Sequence, residues 1–232
     1  MDIKLNLKES VAENIEDKRR IFKKLDSMIS KDTIVGSSTS AIPSSTFVKN
    51  LQNQSQYLVV HPINPPLLVR LVEVVPNQWT STEVVKSVIN IIEGLGQKPI
   101  QVRKEVPGFA LNRIQYAIIE ESWRLVQSGV LTPEDVDTVV KEGLGCRYAF
   151  YGPFEVMHLN ANGIDDYMQR YMGGVGQVIS DFGPHPSFNE PEVKQLLSNS
   201  LNSRMSVSEL SQFLREREKN LAELAKLKLK KD

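Results

Sequence analysis

YLVVHPINPPLLVRLVEVVP, residues 57–76, is the stretch whose reading decides the fold. Two β-rich runs, 57–61 and 68–75, flank Asn64-Pro65-Pro66, a turn former that neither a helix interior nor a central strand tolerates. The second run can therefore return beside the first. On the N-terminal side, TIVG (33–36) reads as another strand and a short helix opens at 42–45. Before these, residues 13–30 place Ile15, Phe22, Leu25 and Ile29 on one helical face, and IKLNL (3–7) alternates as a strand does. On the C-terminal side, Thr80 and Glu83 pair as a capping box for a helix through Ile92, ended by Gly94 and Gly96. PIQVR (99–103) adds one more strand. Strands alternating with helices predict an α/β sheet domain over 1–105.

From Pro107 the texture changes. Residues 109–128 carry Phe109, Leu111, Ile114, Ala117, Ile118, Leu125 and Val126, the apolar stripe of a long helix. Thr132-Pro133-Glu134-Asp135 supplies an N-cap, a proline at the first position and acids in the first turn. Gly143 and Gly145 are expected to stop that helix. Further helices are expected over 154–179, 190–200 and 207–229, with Ser206 and Glu209 repeating the capping box. Residues 106–232 therefore read as an all-α domain.

Composition narrows the function. Lys plus Arg number 28 and Asp plus Glu 28 in 232 residues. A balanced charge argues against a nucleic-acid binder or a protein held on an anionic membrane. Apolar residues at 41% suit a folded globule rather than a disordered chain. The single cysteine, Cys146, excludes an internal disulfide framework and a multi-cysteine zinc site, so no metal is expected. The opening residues lack the apolar core of a secretory signal, and LLVRLVEVV is broken by Arg70 and Glu73. The expectation is a cytoplasmic protein.

Three histidines are present. His61 ends a strand, where an α/β sheet commonly presents its site. Glu73 lies in the run that can return beside it, and a carboxylate next to an imidazole fixes its tautomer and offsets its charge. Spacing alone fits at least as well a histidine bonded locally, with an unrelated glutamate. His158 falls in a helix and His185 between two prolines in a loop. Ser37-Ser38-Thr39-Ser40 follows a strand, as turn residues or as donors to a ligand. Asn112, in the first turn of the long helix, carries little signal by itself. Gly174-Val-Gly176-Gln-Val-Ile179 imitates a dinucleotide loop, but its third position is Ile and it lies in a helical stretch.

Together, VGSSTSAIPSS (35–45), VVHPINPP (59–66), LVEVVP (71–76), VPGFALNRIQYA (106–117) and GPFEVMHLN (152–160) resemble the 3-hydroxyacyl-CoA dehydrogenase family. Five separated motifs in one order are far more specific than any one. The resemblance implies the C-terminal part of a Rossmann-type NAD-binding domain followed by an all-α domain that forms a homodimer contact. It implies His61 as catalytic base, Glu73 as its orienting partner, and Ser40 and Asn112 on the reacting oxygen. Glu13 and Lys18 of VAENIEDK, with Ser40 and Asn64, would contact NAD. HPINPP and EGLGCRYAFYGPFEVMHLNANG (142–163) point to a branch oxidising a hydroxy acid, L-gulonate, rather than an acyl-CoA. There Arg147 binds the sugar-acid carboxylate or else forms a structural salt bridge. The family's glycine loop, in a half-domain of roughly 80 residues, precedes the point where this chain starts. The isolated chain is therefore expected to bind NAD poorly, and a non-catalytic structural or dimerising role stands as the alternative.

Overall fold

The computed structural model describes residues 5–230. Among them a five-stranded sheet runs in sequence order: β1 (Leu5–Glu9), β2 (Ile34–Ser37), β3 (Tyr57–Pro62), β4 (Leu71–Pro76) and β5 (Lys98–Gln101). β1, β2 and β3 are parallel, β4 is antiparallel to β3, and β5 is parallel to β4. The return of β4 beside β3 comes from the proline turn, where Leu68 and Val69 donate to the Pro65 carbonyl at 3.0 and 2.9 Å. That turn consumes residues 68–70, so the strand begins at Leu71 rather than 68.

Helices cover both faces of the sheet. Leu58, Val60, Val72 and Val74 meet Val84, Val85, Val88 and Ile92 of α3 (Thr82–Gly94). On the other face, Val35 and Tyr57 pack with Phe22 of α1 (Ile15–Asp26) and with Phe47 and Val48 of the short α2 (Ser45–Val48). Each such buried side chain contributes about 1.5–3 kcal/mol. α1 begins where Asn14 accepts from the amides of Glu16 and Asp17, and its acids and bases oppose the helix dipole. The cap of α3 is Ser81, not Thr80. Ser81 accepts from the Val84 amide, whereas Thr80 donates its hydroxyl to the Tyr57 carbonyl at 2.7 Å. β1 runs to Glu9, beyond the expected 3–7; residues 3 and 4 lie outside the described range.

The chain divides into two compact units. The first reaches Gln115 and includes Leu221–Ala225; the second comprises Tyr116–Asn220 and the residues after Ala225. α4 (Leu111–Gln127) starts in the first. The second is helical throughout: α5 (Pro133–Thr138), α6 (Cys146–Tyr148), α7 (Pro153–Leu159), α8 (Ile164–Asp181), α9 (Pro191–Arg204) and α10 (Leu210–Leu229). Thr132 caps α5 through the Asp135 amide. Gly143 and Gly145 do not stop the chain's winding. Residues Val139–Gly145 widen into a π-helical turn that joins α5 to α6. A Cβ at Gly145 would stand 3.1 Å from the Val140 carbonyl oxygen, so a residue without one allows that turn. Gly174–Ile179 lies inside α8, in keeping with its helical setting. No helix among the described residues is long and apolar enough to cross a membrane.

Candidate active site

The site is built by strand register. His61 on β3 pairs directly with Glu73 on β4, and Val59 with Val75. Directly paired residues share a face and successive ones alternate, so His61, Glu73, Val59 and Val75 lie together opposite the α3 face. Phe109, 1% exposed, packs onto Val59 and Val75, and its ring centroid is 5.9 Å from that of His61. The imidazole thus stands at the carboxyl end of a parallel strand with an apolar wall behind it.

His61 Nδ1 lies 2.7 Å from Glu73 Oε2. The other oxygen, Oε1, accepts from the backbone amides of Ala110 and Leu111 at 2.8 and 2.9 Å. Those amides sit at the start of α4, exposed for this contact because Gly108 and Phe109 adopt left-handed backbone angles (φ 74 and 51). Burial pushes the Glu73 carboxyl up, but bonds from His61, Leu111 and Ala110 outweigh it and hold the group below the usual carboxylate range. An ionised carboxylate only accepts, so Nδ1 carries a proton toward it, and in the neutral ring Nε2 presents the lone pair. No described residue hydrogen-bonds Nε2. Glu73 thereby fixes the orientation of the ring.

Asn112, in the first turn of α4 and buried, donates from Nδ2 to the Ser40 carbonyl at 2.7 Å. Ser40 itself is exposed, and its amide donates to Glu13 Oε1 at 2.6 Å. Thr39 donates its hydroxyl to Glu13 Oε2 at 2.7 Å. Ser40, Asn112 and Glu13 are therefore one connected set, and Asn112 shares its helix start with the amides that hold Glu73. Asn64 is exposed in the turn after β3. Lys18 is placed differently from the rest. It is fully buried, its Nζ 3.1 Å from both carboxylate oxygens of Glu9, which also accepts from the Ser37 hydroxyl at 2.5 Å. Arg147 is exposed in the helical unit, where Nε donates to the Gly143 carbonyl at 3.2 Å.

Sequence reasoning missed Glu9, whose charge is absorbed inside the fold, and the Ala110 and Leu111 amides, which have no side-chain signature. The Pro107-Gly108 pair before an apolar helix is the signal that could have found the latter. Among the described residues no group of His, Cys, Asp and Glu is arranged to hold a metal ion.

Comparison with known proteins agrees with this architecture. Residues 6–106 match the 3-hydroxyacyl-CoA dehydrogenase NAD binding domain, and 108–190 match the C-terminal domain of the same enzymes. A human lambda-crystallin homolog is 45% identical over 83% of this chain, which spans 60% of that protein's length. A 3-hydroxyacyl-CoA dehydrogenase of Gibberella moniliformis is 33% identical over 97% of the chain and 71% of its own length. The crystal structure of a 5-formyl-3-hydroxy-2-methylpyridine 4-carboxylic acid 5-dehydrogenase, an NAD-dependent dismutase, superposes with a TM-score of 0.79. It is 27% identical, with 96% of this chain and 72% of that one covered. A sheet that pairs His61 with Glu73, a helical unit after it in the chain, and both family domains matched in order lead to one conclusion: the chain belongs to the 3-hydroxyacyl-CoA dehydrogenase family.

Proposed function

We propose that this chain serves NAD-dependent oxidation of a 3-hydroxy acid, with L-gulonate as the substrate and 3-dehydro-L-gulonate as the product. The observation that carries the reading is the His61 Nδ1–Glu73 contact of 2.7 Å, with the second Glu73 oxygen bound to the start of α4. His61 Nε2 takes the substrate hydroxyl proton as the C–O bond becomes a carbonyl. Glu73 offsets the imidazolium charge without moving. Acceptance of the hydride from the same carbon is the chemistry that NAD would supply when bound. The Ser40 hydroxyl and the second Asn112 Nδ2 proton hydrogen-bond the reacting oxygen, a contribution of about 10²–10³ in rate per donor in comparable sites.

Glu13 fits the nicotinamide end of the cofactor. Its exposed carboxylate is held by Thr39 and Ser40, and each oxygen retains a lone pair for a ribose hydroxyl. Ser40 and Asn64 contribute further contacts to the cofactor. Lys18 serves it by pinning α1 to Glu9 at the end of β1. Arg147 binds the substrate carboxylate as a planar fork. Exposed apolar side chains such as Phe154 (77%) and Leu159 (61%) support a homodimer through the helical unit. A cytoplasmic location completes the reading.

A second reading, a non-catalytic structural or dimerising role, rests on the 45% identity to a human lambda-crystallin homolog. NADH formation with L-gulonate and with 3-hydroxybutyryl-CoA separates the readings. Turnover of L-gulonate that falls about 10²–10⁴-fold in His61→Ala is expected. Preference for the acyl-CoA overturns the substrate assignment. Absence of both NAD binding and turnover leaves the structural role.

A further inference from the structure

We propose that Glu105, which no sequence motif singled out, is a positioning residue that clamps the Ser40-bearing loop onto the start of α4. Its catalytic consequence rests on the dehydrogenase reading. The physical puzzle is a polar relay in a place where apolar packing would serve. Ser44 and Asn77 are buried, with 0% and 6% exposure. Asn77 Nδ2 donates to Ser44 Oγ at 3.1 Å and to the Tyr57 carbonyl at 3.0 Å. Ser44 in turn donates to Glu105 Oε1 at 3.0 Å, and the same oxygen accepts the Ser45 amide at 3.1 Å. Ser44 makes no side-chain cap of its own for α2, so Glu105 supplies it from across the sheet's end. Buried polar groups cost free energy unless satisfied, and this set is satisfied only when four chain segments meet.

The consequence lies in the segments that flank the relay. Residues 40–45 are tied to residues 105–112 at three points. Glu105 holds Ser44 and Ser45, the Gly108 amide donates to the Ala41 carbonyl at 3.0 Å, and Asn112 holds the Ser40 carbonyl. Glu105 is the only one of the three anchors that is a charged side chain accepting twice, and it stands just before the Gly108–Phe109 turn that aims amides at Glu73. Releasing it loosens Ser40 relative to Asn112 and frees the turn that sets His61.

Amide hydrogen exchange on the whole 232-residue chain tests the clamp without requiring activity. In Glu105→Ala, protection of the Gly108 amide is expected to fall about tenfold, while Leu58 and Val85 in the sheet and α3 keep theirs. Glu105→Gln, whose carbonyl oxygen still accepts from Ser44 and Ser45, restores Gly108. Ser44→Ala, a milder cut of the relay, gives a smaller loss at the same amide if Glu105→Ala does not fold. With L-gulonate, Glu105→Ala lowers kcat about tenfold, and the Gln variant rescues it. Unchanged Gly108 protection, or equal loss at Leu58 and Val85, overturns the proposal. A wild-type chain without turnover, but with the Gly108 result intact, refutes the dehydrogenase reading and leaves the clamp standing.

Discussion

Replacing Glu73 by glutamine changes one atom and should reverse the imidazole tautomer. Glu73 is fully buried and accepts three hydrogen bonds, from His61 Nδ1 and from the amides of Ala110 and Leu111. Two backbone amides can only donate, so the glutamine must turn its oxygen to them and its NH₂ to His61. Nδ1 then has to accept, which moves the ring proton to Nε2 and removes the lone pair that would take a substrate proton. Hydrogen bonds to a charged group are worth about 1.5–3 kcal/mol and neutral ones about 0.5–1.5. Three such exchanges lose about 3 kcal/mol, of which relief of a buried charge returns part, leaving about 1–3 kcal/mol. Urea unfolding followed through Trp79 measures this in a Trp123→Phe background, since the chain has two tryptophans and Trp79, half-buried, packs against the sheet core. Nitrogen-15 shifts of the labelled imidazole report the tautomer. Wild type with a protonated Nδ1 and Glu73→Gln with a protonated Nε2 are expected. The same tautomer in both, with stabilities within about 0.5 kcal/mol, refutes the reasoning.

Other outcomes are set by the same geometry. Lys18→Met strands the buried Glu9 carboxylate and is expected to cost about 3–5 kcal/mol in chemical denaturation, with Glu9→Gln added to it recovering part of the loss. Gly108→Ala forces a side chain into a left-handed φ of 74 with Asn112 Cβ 3.5 Å away; a loss of about 1–2 kcal/mol and weakened protection at Ala110 and Leu111 are expected. Ser81→Ala costs about 1 kcal/mol as the loss of an N-cap, and an unchanged melting temperature would return the cap to Thr80. On the acid side, Glu73 and Asp26 both lie below the ordinary carboxylate range. Burial raises Asp26, but the Gln52 and Asn53 amides and the Tyr57 hydroxyl outweigh it. A depressed folded pKa stabilises above the unfolded value and loses that contribution as pH falls through the folded one. Stability should therefore drop from about pH 4 downward. Asp26→Asn should flatten that drop, and equal pH dependence in both proteins would refute the assignment.

Local signals were legible where the physics is local. Asn64-Pro65-Pro66 had to turn, and Thr132-Pro133 had to start a helix. Thr80 misled because Thr and Ser at adjacent positions are both competent caps, and only the nearby Tyr57 carbonyl diverted one of them. Gly145 misled because glycine is as useful to a π-turn needing close backbone approach as to a helix stop.

By itself the sequence determined the order of strands and helices, the presence of a carboxylate and an imidazole on β-rich runs, and a family resemblance carried by five motifs. Spacing alone favoured His61 and Glu73 as unrelated. Tertiary structure decided that pairing, through a register that puts the two on one face, and it decided the fate of each charge. Glu73 is held ionised by His61 and by two amides from a distant turn, Lys18 is spent on Glu9, and Glu105 is drawn into a relay with Ser44. Those outcomes depend on atoms far apart in the chain that meet only when the sheet has closed, so no local pattern could encode them.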